Sequence, residues 1–148
     1  MKTIAKKLSA AIAMIAICFG LFSFSSPWGG EGFEIFLNNK LVSQQFGKEV
    51  NNTKSLQLDQ RYANDELTIK YYHCGQPGKN REITLRDGNN NVLKDWRFDN
   101  ASANETAGMD CPVKDILAAQ KRSSNGTLNL YYSSTEIPQG KLLMTIVK

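Results

Sequence analysis

Any chemistry in this chain must draw on a short inventory: one histidine, His73, three cysteines, Cys18, Cys74 and Cys111, and 14 acidic side chains. A nucleophilic site of the Ser-His-Asp or Cys-His kind needs a base beside its nucleophile, so it would be built on His73 with Cys74 as its neighbour. Adjacent residues of a strand point to opposite faces, which drives these two apart. His73, Cys74, Met109 and Cys111 are soft ligand types. A blue-copper site, however, wants two histidines, and structural zinc wants four ligands at short paired spacings. Asp87, Asn89 and Asn91 put oxygens at alternate positions without the distal bidentate glutamate of a calcium loop, and an Asn-rich turn accounts for them. No spacing singles out two acids for glycoside hydrolysis. Gly29, Gly30 and Gly32 precede no strand-helix unit that could cradle a phosphate. The expectation is a chain with no catalytic residues, no metal site and no cofactor.

Binding is the better-supported role. Tyr71-Tyr72 and Tyr131-Tyr132 are doublets inside strand-like segments, and a period of two turns one member of each outward. With Leu67, Ile69 and Tyr71 facing inward, Tyr72 stands out beside Lys70; with Tyr132 inward, Tyr131 stands out beside Asn129. Tyr72, Tyr131, Lys70 and Asn129 are therefore the candidate binding residues, an aromatic platform for a sugar ring or a partner protein. The plainer alternative is that these tyrosines pair across strands or are covered by loops. Arg81, Arg86, Lys94 and Arg97 are interleaved with Glu82, Asp87 and Asp95, which indicates a solvated, cross-paired surface.

The elements that must position these residues are strands. Phe33, Ile35 and Leu37 alternate with polar or outward residues, Asn38-Asn39-Lys40 turns the chain, and Leu41 to Phe46 returns as a hairpin. Leu56 and Leu58, then Leu67 to Tyr71, continue the alternation. Ile83 and Leu85, the loop Asp87-Gly88-Asn89-Asn90-Asn91 and the return Val92 to Phe98 form a second hairpin. Asp99 to Gly108 reads as a loop, and Leu128 to Tyr132 and Lys141 to Val147 close the series. Around 112–121 two patterns compete. Val113, Ile116, Leu117 and Gln120 fit one helical face with Asp110 as a cap, whereas Ser123 to Gly126 offers a hairpin turn that favours a strand. The fold class is all-β, a single antiparallel β-sandwich, with a strand preferred over a short helix at 112–121.

Its topology stays open between immunoglobulin-like and jelly-roll types. Tyr72 two residues before Cys74, and Trp96 between the cysteines, invite comparison with immunoglobulin domains. In those domains the tyrosine precedes the second cysteine, so no family follows from the pattern.

The N-terminus sets the compartment. Lys2, Lys6 and Lys7 precede an uncharged run from Leu8 to Phe22, followed by the small residues Ser23, Ser25 and Ser26. That order is an export signal, residues 1–25, with residues 26–32 as a glycine-rich leader and 33–148 as the domain. The rivals are an uncleaved membrane anchor, a lipid-modified Cys18 and a buried helix. Cleavage lowers the basic count from 18 to 15 against 14 acids, so the mature chain is nearly neutral and nucleic acid is not an expected partner. In an oxidising extracytoplasmic compartment the two remaining cysteines, Cys74 and Cys111, are expected to form a disulfide. The resulting expectation is a small exported, non-catalytic binding or structural module. The alternatives are a secreted carboxylate-dependent hydrolase and an envelope protein held by its leader.

Overall fold

The computed structural model describes residues 30–47, 53–101 and 107–148. The expected export signal, the expected leader up to Gly29, and residues 102–106 of the expected loop fall outside the described residues. Within them the chain forms strands β1 (Gly32–Leu37), β2 (Lys40–Phe46), β3 (Lys54–Gln57), β4 (Glu66–Tyr72), β5 (Arg81–Arg86) and β6 (Val92–Phe98). After β7 (Met109–Pro112) comes helix α1 (Val113–Arg122), followed by β8 (Leu128–Ser133) and β9 (Lys141–Val147). A single 3-10 turn, Gln60–Tyr62, joins β3 to β4. β1 begins at Gly32, one residue inside the expected leader.

Two sheets stack face to face. The first has the order β2-β1-β4-β7 and the second β3-β9-β8-β5-β6. Every pairing is antiparallel except that of β3 with β9, which is parallel. The all-β sandwich expected from the alternation is thus the fold. Phe33, Ile35, Leu67 and Ile69 of one sheet and Ile83, Leu85, Leu128, Leu130 and Tyr132 of the other are fully buried in one cluster. Each apolar side chain removed from water there stabilises the fold by about 1.5–3 kcal/mol before conformational entropy is counted.

The hairpins form where the turn residues tolerate a left-handed backbone. Asn38 and Asn39 have φ of 48° and 62°, the two positive values that a tight turn twisting with its strands demands. Asp87 closes the other hairpin: its carboxylate accepts from the Asn89 and Asn91 backbone N–H groups at 2.9 Å each and from Asn91 Nδ2 at 3.0 Å. Those bonds fill the oxygens that had suggested a cation loop, and they hold the carboxyl below its ordinary range.

The segment 113–122 is a helix, so the preference for a strand there is overturned. Val113, Ile116, Leu117 and Gln120, the residues of the helical pattern, are its buried side. Asp110 does not cap it; it lies in β7 and accepts from Thr68 Oγ1 at 2.6 Å. Pro112 holds the N-cap position without a side-chain bond, and the freed Val113 N–H donates to the Asp65 carbonyl at 3.0 Å. β7 itself was not apparent in the sequence. α1 ties to the edge strand β6 through Lys94 and Asp115, 3.6 Å apart, and through Arg122, which donates to the Leu93 carbonyl at 2.5 Å. This contact covers an edge that would otherwise offer free backbone groups.

Candidate functional site

The expected aromatic platform does not assemble. Tyr72 is on β4 and Tyr131 on β8, strands of different sheets whose outer faces point away from each other. Each residue already has partners on its own face. The Tyr72 hydroxyl donates to Glu34 at 2.8 Å and its ring lies 5.5 Å from that of Phe46. Burial, with the Glu34 bond adding to it, pushes this hydroxyl up to about 12. Tyr131 lies under the Arg86 guanidinium at 4.6 Å. Lys70 sits over the Phe36 ring at 5.3 Å, and Asn129 Oδ1 accepts from Thr145 Oγ1 at 3.2 Å. Tyr72 and Lys70 lie on the outer face of one sheet and Tyr131 and Asn129 on that of the other, so the four form no common surface.

The expected disulfide is not formed either. Cys111 pairs opposite Leu67 near the start of β4, whereas Cys74 lies in an exposed turn beyond Tyr72 at the strand's other end. Five strand steps separate Leu67 from Tyr72, about 16 Å at ~3.3 Å per residue, against the ~7 Å that bridged Cα atoms allow. Cys111 is buried, and that burial, with Asp110 and Asp115 adding, pushes its thiol well above the ordinary range.

His73 has a different neighbour from the one its sequence position suggested. Tyr71 of the first sheet stacks on Tyr132 of the second, centroids 4.2 Å apart, and His73 Nε2 lies 2.7 Å from the Tyr132 hydroxyl. Glu31 accepts from the Tyr71 hydroxyl. Burial holds the imidazole below its usual value and Arg81 adds to this, while Glu136 and Glu31 oppose it. Burial likewise pushes the Tyr132 hydroxyl up to about 12, so the neutral phenol shares a hydrogen bond with His73 Nε2. The cluster staples the two sheets together. Nearby Arg81 is buried rather than solvated, donating to the Asp99 carbonyl at 2.7 Å and the Ala107 carbonyl at 2.8 Å. Arg97 has the expected acidic partners, Glu82 and Asp95, whereas Lys94 pairs with Asp115 of α1, outside the interleaved set.

A hollow among the described residues lies elsewhere. A cleft of about 680 Å³ opens between the chain after β3 and the C-terminal turn of α1. Leu58 and Leu117, both buried, give it apolar walls; Gln120, Lys121, Asn125 and Lys148 supply polar groups. Gln120 is 6% exposed, and its Nε2 is buried with no hydrogen-bond acceptor. Such a donor costs about 1–3 kcal/mol relative to a satisfied one. Asp59, the acid at the rim, is already matched, because Arg61 Nη2 donates to Oδ2 at 2.7 Å and Arg61 Nε to Oδ1 at 3.1 Å. These bonds hold the Asp59 carboxyl below its ordinary range.

None of the cleft residues stands out in the sequence as a candidate for binding or chemistry, yet one signal is present there: a glutamine at a core position of the helical face 113–120. Comparison with protein-family models and with curated proteins yields no match. The functional reading therefore rests on the cleft and on the residues around it.

Proposed function

We propose that this chain is a small exported, non-catalytic binding module whose ligand occupies the cleft between α1 and the segment that follows β3. The observation that carries the reading is the buried, unpartnered Gln120 amide beside an apolar-walled hollow of about 680 Å³, a volume within the ~300–1,000 Å³ range of small-molecule sites. A buried donor left unfilled calls for an explanation, and a ligand's acceptor in the adjoining hollow supplies one. Export is supported by the basic and then apolar order of residues 2–24. Binding without turnover is supported by the engagement of the one histidine with Tyr132.

The test uses the chain recovered outside the cytoplasm, its mass first locating the N-terminus near Ser26. Amide and methyl NMR spectra are then recorded against a fragment library. Hits are expected to shift Leu58, Leu117 and Gln120 together and to be recovered unchanged. Shifts confined to other faces, a chain retained in the cytoplasm, or hydrolysis of the hits would refute the reading.

A further inference from the structure

We infer that the ligand of this cleft is an amphiphilic organic anion, with its charged head on Gln120, Lys121 and Lys148 and a short apolar body against Leu58 and Leu117. The inference rests on the cleft being the binding site, and it adds the chemical class of what binds there.

Charge decides the head. Lys121 and Lys148 line the cleft, and among the described residues neither has an ion-pair partner. The acid at the same rim, Asp59, is neutralised by Arg61 at 2.7 Å. Neither ammonium group thus has an acidic side chain within ion-pair distance, and the buried donor beside them is also unfilled. An acceptor with negative charge satisfies all three, through the charge-assisted hydrogen bonds that are stronger than neutral ones. A neutral acceptor would fill the Gln120 amide and leave the field of the lysines unused; a cation would be repelled. Reaching a ligand's acceptor would break no protein hydrogen bond of Gln120 Nε2.

Shape decides the body. Leu58 and Leu117, 0% and 6% exposed, back the hollow, and the aliphatic stems of Lys121 and Lys148 flank it, so a short apolar body laid there gains from leaving water. A bare inorganic anion would hold the rim and leave the walls wet.

The experiment titrates the mature chain with hexanoate, hexyl phosphate, hexanol and inorganic phosphate, reading the Leu58 and Leu117 methyl signals. Hexanoate and hexyl phosphate are expected to saturate those signals at least tenfold more tightly than hexanol, with inorganic phosphate leaving them unmoved. Which of the two anions binds tighter separates a carboxylate from a phosphate ester as the natural head. In Lys121→Gln/Lys148→Gln the preference for anion over alcohol should collapse to near unity while hexanol binding persists. Gln120→Leu should weaken hexanoate about tenfold, the effect of one hydrogen bond to a charged group, and raise the urea midpoint because a buried donor is gone. Hexanol binding as tightly as hexanoate in the unmodified chain would overturn the anionic class and leave the cleft reading standing. Methyl signals that no probe moves would overturn both.

Discussion

At the scale of single residues, burial decides what each titratable group does. His73 is the histidine on which an active site would have been built, and its Nε2 instead shares a hydrogen bond of 2.7 Å with the Tyr132 hydroxyl. Protonation would place a cation in a half-buried aromatic cluster beside Arg81, although Glu136 and Glu31 soften the cost. The unfolded chain therefore binds the proton more readily than the folded one. Stability attached to this group is complete above the ordinary histidine value of 6.5 and is lost as pH falls through the depressed folded value. The urea midpoint should fall between about pH 7.5 and about pH 5, and His73→Gln should show a shallower fall over the same window. A variant whose midpoint fell just as steeply would show that the imidazole does not titrate against folding. Gln120 is the counterpart in the candidate site. Its place on the helical face was legible in the sequence. The missing acceptor was not, because it depends on what the chain after β3 brings to the other wall.

At the scale of elements, local pattern went furthest where turn chemistry and alternation agree. The Asn38-Asn39 hairpin is such a case, since a pair of residues tolerant of positive φ interrupts two runs of period two. Asn39, at φ 62°, tests this directly: Asn39→Ala should lower stability by about 1 kcal/mol, the cost of forcing a Cβ-bearing side chain with no local hydrogen bond into the left-handed region. Asn39→Gly should be neutral or slightly stabilising. Equal stability of the alanine variant in urea denaturation would mean that the turn relaxes out of that conformation. The helix α1 was harder to read, because ten residues carrying Val113, Ile116 and Leu117 satisfy both periods. Packing settles the choice. The helical form places those three and Gln120 on one buried side and lets Arg122 and Asp115 reach β6. β7 was invisible because a four-residue strand carries too little alternation to distinguish it from the polar loop before it.

For the molecule as a whole, which strands share a sheet is a long-range fact that period two does not encode. Outward facing was legible for Tyr72 and Tyr131. That they face opposite ways follows from β4 and β8 belonging to different sheets, and the same long-range geometry keeps Cys74 away from Cys111. What unites the two layers is one core. Ile69 of the first sheet and Leu130 of the second are both fully buried in a single cluster, so neither sheet has an apolar interior of its own. Ile69→Ala and Leu130→Ala should each lose about 2–5 kcal/mol, a large share of the ~5–15 kcal/mol that holds a small domain. Shared burial further requires that both variants unfold in one step, with near-ultraviolet and far-ultraviolet circular dichroism giving the same midpoint in urea. If truncating Leu130 melted one signal while the other kept its midpoint, the sheets would be separable units. The cleft, whose Leu58 and Leu117 walls belong to that core, would then have no common frame to hold it open.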